Sequence, residues 1–500
     1  MKKILIVLAI IILGLSLYIL QNFKGALPAI TKPPGDITEM IPQTGNTSTP
    51  VNITNMPLTL PGGFSISIFA KSLPGARDIA VDNFGNMWVS QTGEGIISQL
   101  EVQNGVVVRQ NAVFRNLDRP HGLAIDGNML YFAEETKITR VALYSDDAGQ
   151  KIAELPEGGR HYTRSLVFGR DGRLYVSIGS TCDVCREEDE RIATIYSMNK
   201  DGSDFKKTAF GLRNSVFMAL NEQSGKIWAT EMGRDNLGDD LPPDEINIIE
   251  AGKNYGWPIC YGKKIHDTVF DNNQYIKDPC QDTVASHIDL PAHSAPLGLA
   301  FIPANKNWPK EYEGDLIVAF HGSLNRSQPT GYKLTRVKLS GAGELEGFED
   351  FVSGWLSKDG TTSLGRPVGL VFGNDGALYV TDDKAGVVYK VSPQSSEIFV
   401  SAPLANTKVT SPIKISGKAR GNWFFEASFP VKLLDEDGSV LSQSFVTAQG
   451  EWMTQDFVNF SGQLDFVKPK GEIGSLVFEN DNPSGMPEMR KEFKLPVNFK

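Results

Sequence analysis

The sequence predicts an all-β protein: a six-bladed β-propeller, then a small β-sandwich, with a membrane-anchor helix at the N-terminus. Three observations carry that reading. One hairpin phrase recurs six times between Leu60 and Val391, a different strand pattern fills the chain from about residue 407 onward, and the chain opens on an uncharged apolar run behind two lysines.

The opening run, Ile4 to Leu20, follows Met1-Lys2-Lys3 and precedes Gln21, Asn22, Phe23 and Lys24. A positive start before an apolar stretch is an export signal, and this one is intermediate in length between a signal-peptide core and a spanning helix. With no small-x-small site close behind it, residues 1–23 read as an uncleaved signal anchor, the alternative being a cleaved signal. Both place the remainder outside the cytoplasm, at the cell membrane in the first case. Residues 24–57, including PPGDITEMIPQTGNTSTP, are rich in Pro, Thr, Asn and Gly and read as a flexible linker.

The propeller spans 58–398. Its clearest repeats are LVFGRDGRLYVSIG (166–179) and LVFGNDGALYVTDD (370–383), with IAVDNFGNMWVSQ (79–91) and LAIDGNMLYFAE (123–134) close to them. Weaker copies lie at 218–231 and, stretched by an insertion, at 299–322. Asp-Gly and Asn-Gly between alternating apolar runs supply the turn residues that a hairpin needs. Recurrence at roughly 45 residues or more is the spacing of propeller blades, which bury their faces only against one another. From 407 to 500, short alternating segments such as SPIKISGKA and GSLVFEN surround turn signals like Asp437-Gly438, which predicts the sandwich. Trp423, Phe424, Phe425 and Trp452 are its expected core.

Hydrophobic residues make up 41% and charged residues 22% of the 500, as in soluble globular proteins, and the net charge of −10 argues against a nucleic-acid partner. A small neutral or cationic ligand fits better. The four cysteines, Cys182, Cys185, Cys260 and Cys280, suit disulfides in an exported chain. The local pairs 182 with 185 and 260 with 280 are the simplest of three pairings; a four-Cys zinc site or a redox CxxC remains an alternative.

Four of the six histidines, His121, His161, His293 and His321, flank a copy of the repeat, where a propeller places its channel. Such residues either line a polar ligand site or satisfy local backbone groups, and convergent histidines also bind metals. Gln91, Arg77 and Trp257 are further possible rim residues.

The segments GRHYTRSLVFGRDGRLYVSIGSTCDVC, FGLRNS, EMGRDNLGDDLPPDEIN, NYGWP, HSAPLGLAF, FHGSLNR and GRPVGLVFGNDGALYVTDD resemble, in order, the glucose and sorbosone dehydrogenase family. LGDDLPPDE and the CxxC are similar to its sorbosone-type branch. The resemblance implies an extracytoplasmic oxidoreductase that oxidises an aldose or related sugar aldehyde with pyrroloquinoline quinone (PQQ) and Ca²⁺. His161 matches the family's general base. Arg213 matches the catalytic and cofactor-binding cation, Asn214 and Arg366 match cofactor contacts, and His321 and Arg326 are further cofactor-binding candidates. Gly233 and Arg234 occupy the place from which backbone carbonyls reach the metal, with the acidic residues Asp235, Asp239, Asp240, Asp244 and Glu245 nearby.

Three positions depart from the soluble glucose dehydrogenases. Ser180 stands where they carry Asp, Val368 where they carry a second Arg, and their cofactor-contacting Lys has only Asn325 and Arg326 near its place. With no CxxCH haem site and no GxGxxG ahead of a helix, electrons are expected to pass to a separate acceptor. The C-terminal segments SPIKISGKARGNWFFEASFPV, QGEWMTQDF and FENDNPSGMPE resemble the immunoglobulin-like domain of bacterial spore germination, which implies a cell-surface partner. The rival reading is a non-catalytic propeller that binds glycan or protein at the cell envelope.

Overall fold

The computed structural model describes residues 50–499 apart from 104, 146, 148, 158, 305–307, 324, 395–396, 405–406, 455, 468, 470 and 484–489. The expected signal anchor and most of the expected linker lie outside the described residues. Among the described residues no helix is long and apolar enough to cross a membrane. The chain divides into two compact units, one built mainly of residues 68–391 and the other mainly of 392–500.

The first unit is a six-bladed propeller. Blade I comprises Ala76–Val81, Met87–Gln91, Ile96–Gln103 and Val106–Phe114, and blade II comprises Leu123–Asp126, Met129–Ala133, Lys137–Ala142 and Gln150–Glu154. Blade III, Leu166–Phe168, Leu174–Ile178, Thr194–Met198 and Lys206–Phe210, takes the short strand Lys253–Asn254 on its outer edge. Blade IV is formed by Met218–Leu220, Ile227–Glu231, Asp244–Ile248 and Ile288–Leu290; blade V by Pro296–Phe301, Leu316–Phe320, Lys333–Leu339 and Leu345–Val352. Blade VI joins Pro367–Phe372, Leu378–Asp382 and Val387–Pro393 to Phe64–Ala70 from the N-terminal side. Each copy of the repeated phrase is the first hairpin of a blade. Its second strand is buried along its whole length in blades I, IV, V and VI, because neighbouring blades cover both faces.

Polar side chains of these second strands join blade to blade. Ser90 Oγ donates to the His121 carbonyl at 2.7 Å, Thr230 Oγ1 to the Leu297 carbonyl at 2.8 Å, and Thr381 Oγ1 to the Arg77 carbonyl at 2.6 Å, the last closing blade VI on blade I. Glycine on the innermost strand permits this approach. A Cβ on Gly298 or Gly369 would overlap the backbone carbonyl of Val368 or Arg77 in the next blade. Val368 itself is fully buried in the core between blades IV, V and VI, so this position forms packing and not cavity wall.

The simplest cysteine pairing is the one formed: Cys182–Cys185 and Cys260–Cys280 are both bridged.

In the second unit seven strands form one continuous sheet in the order Ile398–Ala402, Ile413–Arg420, Phe457–Leu464, Val440–Ala448, Ser428–Asp435, Ile473–Glu479 and Glu492–Asn498. Val440–Ala448 pairs with strands on both sides, and Lys408 bridges Asn498 at the far edge, so the immunoglobulin-like sandwich is a nearly closed barrel. Trp423, Phe424, Phe429, Phe460 and Phe478 fill its core, with Trp452 packed against them. Phe425, expected in the core, is instead 41% exposed, because the chain turns at Glu426 and Ala427 with positive φ before the next strand begins.

Candidate functional site

The loops leading into and between blade strands surround a cavity of about 260 Å³, lined by Arg160, His161, Arg213, Asn214, Gly233, Asp235, His293, His321, Asn325 and Arg366 among others. Residues distant in sequence thus converge on one small-molecule-sized space.

His161 stands on the loop entering blade III. A side chain at Gly179 would collide with the His161 Cβ and with Asn214 Oδ1, so glycine there lets the imidazole and the amide share one wall. His161 Nδ1 lies 2.8 Å from Ser180 Oγ, which itself donates to the Cys182 carbonyl at 2.7 Å. A hydroxyl has one proton, so the hydrogen-bond network assigns the proton of this contact to Nδ1 and leaves the Nε2 lone pair unused. Burial, reinforced by the Arg213 and Arg160 guanidinium groups, pushes the imidazole down to about 3. His161 is therefore neutral at physiological pH and able to take a proton through Nε2.

Arg213 follows the last strand of blade III. Its Nε donates to the Asp183 carbonyl at 2.8 Å, Nη2 to Asp183 Oδ1 at 2.7 Å and Nη1 to the Met232 carbonyl at 3.1 Å. The Asn214 N–H donates to Glu231 Oε1 at 2.6 Å, and burial pushes that carboxyl up to about 8. The Gly233 N–H donates to the buried Asp244 at 2.9 Å. Arg366 donates through Nη2 to the Gly322 carbonyl at 3.0 Å and lies 5.3 Å from the centre of the Tyr332 ring.

Two histidine–aspartate pairs complete the wall. His321 Nε2 is 3.0 Å from both oxygens of Asp383, which also receives Arg77 Nη1 at 2.8 Å; burial pushes His321 down to about 4 despite this partner. His293, at φ +63°, donates through Nε2 to the Gly238 carbonyl at 2.8 Å, and its Nδ1 is 3.7 Å from Asp235. Burial lowers the His293 pKa, but Asp235, the Gly238 carbonyl and Asp244 together outweigh it and the net shift is upward. Burial raises Asp235, yet His293, Asn325, Arg213 and Arg160 together hold its carboxyl well below the usual range.

Other sequence-selected residues lie elsewhere. Arg326 does not line the cavity: its guanidinium is held by the Asp239 and Ala292 carbonyls and by Asp240, which the acidic 239–240 turn places beside it. The Arg234 side chain is buried on Asp267 at 2.8 Å and faces a smaller cavity behind Arg213, together with Trp257, so only its backbone remains for a metal. His121 is fully buried in the propeller, with Nδ1 3.1 Å from the Arg164 carbonyl, and Gln91 donates to the Pro74 carbonyl. Arg160 and Asp383 were not singled out from sequence. Asp383 is the last residue of the 370–383 repeat, and that position was its only signal.

Among the described residues, the one group of three metal-type side chains within mutual reach is Cys182, Cys185 and Glu187, and both of its sulfurs are in a disulfide. The cavity itself carries the Asp235 and Asp244 carboxylates beside the Gly233 backbone, oxygen donors of the kind that Ca²⁺ prefers.

These features agree with comparisons to known proteins. Residues 397–486 match the immunoglobulin-like domain of bacterial spore germination. An uncharacterized protein of Borreliella burgdorferi is 32% identical over 67% of this chain and 90% of its own length. The pyrroloquinoline quinone-dependent pyranose dehydrogenase of Coprinopsis cinerea is 24% identical over 68% of this chain, and the match spans only 55% of that protein. The solved PQQ domain of pyranose dehydrogenase from the same fungus superposes with a TM-score of 0.60 at 21% identity, over 68% of this chain and all of that one. A calcium structure of the Trichoderma reesei family AA12 enzyme gives 0.59 at 20% identity, with 68% and 100% covered. The TrAA12-like family model matches residues 58–394, the entire propeller, and this chain belongs to that family.

Proposed function

We propose that the propeller is an extracytoplasmic oxidoreductase that removes two electrons and two protons from an aldose or a related sugar aldehyde, with PQQ and Ca²⁺. The observation that carries this reading is a neutral His161, its Nε2 lone pair unused, on the same cavity wall as Arg213. The donor set fits the cofactor. Three guanidinium groups line the cavity, and among the described residues the Arg366 side chain makes its hydrogen bonds through Nη2, so Nε and Nη1 are left for a carboxylate. Bound PQQ would supply the acceptor for the hydride equivalent.

This chain's residues supply the rest. His161 Nε2 accepts the proton of the sugar hydroxyl as the C–H bond weakens, and Ser180 holds the opposite nitrogen so that the lone pair stays available. Arg213, fixed at three of its donors, presents a positive charge where negative charge develops. Arg366 and Asn214 orient the cofactor, and the Gly233 and Arg234 carbonyls are the proposed metal ligands. The sorbosone-type motifs make a sugar aldehyde our preferred substrate class, reacting as its hydrate, whose hydroxyl proton goes to His161 as the same carbon loses its hydride equivalent. Electrons then leave to a separate acceptor, residues 1–23 tether the enzyme to the membrane, and the immunoglobulin-like domain engages a cell-surface partner.

Titration of the protein with PQQ should give saturable binding that requires Ca²⁺, is lost with EDTA and returns when Ca²⁺ is restored. Dye-linked oxidation of a sugar panel should follow the same dependence. Absence of PQQ binding at every Ca²⁺ concentration would leave the envelope-binding propeller as the account.

The pH profile gives a second check. A base is lost as pH falls through its pKa, and His161 is held near 3, so kcat/KM should stay level between about pH 8 and 5, where an ordinary histidine of pKa about 6.5 would already be protonated. Ser180→Asp would place a carboxylate beside the Nδ1 proton and stabilise the imidazolium against the opposing Arg213 and Arg160. The acid limb should then move upward; an unchanged limb would remove His161 as the titrating base.

A further inference from the structure

We infer that the short loop closed by the Cys182–Cys185 bridge is a positioning clamp that fixes, together, which nitrogen of His161 carries the proton and how the Arg213 guanidinium is set. The inference rests on the reading of His161 and Arg213 as the groups facing the reacting atoms.

The loop joins the second and third strands of blade III, and its polar groups converge on the site. The Cys182 carbonyl takes the Ser180 hydroxyl proton at 2.7 Å and so obliges Ser180 Oγ to accept from His161 Nδ1 at 2.8 Å. Were that carbonyl to move away, the hydroxyl could turn and donate to Nδ1, which would put the ring proton on Nε2 and abolish the base. One residue on, Asp183 grips Arg213 twice, by its carbonyl and by Oδ1. The same Oδ1 accepts the Asp235 N–H at 2.9 Å, linking the clamp to the 233–235 segment. Glu187 receives both the Thr181 N–H and its hydroxyl, at 2.8 and 2.7 Å, and secures the loop from the other side.

A bridge across three residues restrains only the loop it closes, and that loop holds both groups. Asp183 is thus a positioning residue: it acts through Arg213. The second disulfide, Cys260–Cys280, closes a separate segment of the chain, so paired serine variants distinguish the two bridges where a reductant would open both.

The test uses the full-length chain labelled with nitrogen-15 histidine, whose six histidines keep the spectrum sparse. His161 should show the Nδ1–H tautomer without cofactor or sugar. In the Cys182→Ser/Cys185→Ser double variant it should become a mixture of tautomers, whereas the corresponding change at 260 and 280 should leave it pure. An Nε2–H tautomer in the unmodified protein, or a pure Nδ1–H tautomer in the folded 182/185 variant, overturns the inference.

Should the double variant not fold, Asp183 decides. Asp183→Ala removes the acceptor of Arg213 Nη2 and should speed hydrogen exchange at the Nη2 protons and lower kcat roughly 100-fold with KM little changed, the size expected when a reacting group is displaced by about 1 Å. Asp183→Asn, which keeps the Oδ1 acceptor, should restore most of both. Unchanged exchange in the alanine variant counts against the clamp. If the unmodified protein turns over no sugar, the dehydrogenase reading fails by itself, and tautomer and exchange still decide the clamp.

Discussion

His161→Gln is expected to lower kcat for sugar oxidation by roughly 10²- to 10⁴-fold, the range that a positioned general base contributes, while PQQ binding is retained. Glutamine nearly fills the space and keeps a hydrogen-bonding group near Ser180, but its amide has no proton affinity in the working range. Arg213, Asn214 and Arg366 are untouched, so cofactor titration separates loss of chemistry from loss of binding. The other cavity histidines are poor substitutes. His293 donates through Nε2 to the Gly238 carbonyl and turns Nδ1 toward Asp235, and His321 gives Nε2 to Asp383. An unchanged kcat would transfer the base role to one of them.

Arg336→Met should be the most damaging single change to propeller stability, at about 3–5 kcal/mol, the cost of stripping one partner from a buried ion pair. In blade V the Arg336 guanidinium reaches Asp315 at 2.6 Å and Glu349 at 3.0 Å and lies 3.6 Å over the Tyr312 ring, all four residues being buried. Methionine fills the space and leaves two buried carboxylates without their cation. Burial already holds the Asp315 carboxyl above its ordinary value, even though Arg336 lowers it. Without Arg336 the Asp315 carboxyl should bind its proton more readily still in the folded state than in the unfolded one. The deficit is then largest near pH 7 and shrinks as pH falls through that raised pKa. Denaturant midpoints of the two proteins at pH 7 and pH 5 measure it; a constant difference would mean that lost packing over Tyr312 outweighs the electrostatics.

Periodic features were legible in the sequence and local irregularities were not. The six hairpins follow from alternation and Asp-Gly turns, and the cysteine pairing follows from proximity along the chain. His161, which flanks a repeat, shares a cavity with Arg213, Asn214 and Arg366, which only the family resemblance had marked. Arg160 comes from a loop without period, so nothing in its spacing marks it, and Asp235 stood out only as one of several acidic residues beside Gly233 and Arg234. His121 also flanks a repeat, but it stands two residues before its strand where His161 stands five before its own, and it is fully buried with Nδ1 on the Arg164 carbonyl. Val368 had the appearance of a lost cofactor contact, whereas it packs in the hydrophobic core shared by blades IV, V and VI. Ser180, which looked like a missing carboxylate, is tied to both His161 and Cys182.

The contact among Arg77, His321 and Asp383 draws on blades I, V and VI, and Arg77 and Asp383 are 306 positions apart. During synthesis, a nascent chain therefore carries its first blade for almost the full length of the propeller before this side of the cavity exists. Domains emerge from the ribosome N-terminal part first, so the early blades must persist with an uncovered flank until the last arrives. A chain truncated before blade VI lacks Asp383 and the closure on Arg77, which makes full-length translation a condition for any activity of this centre.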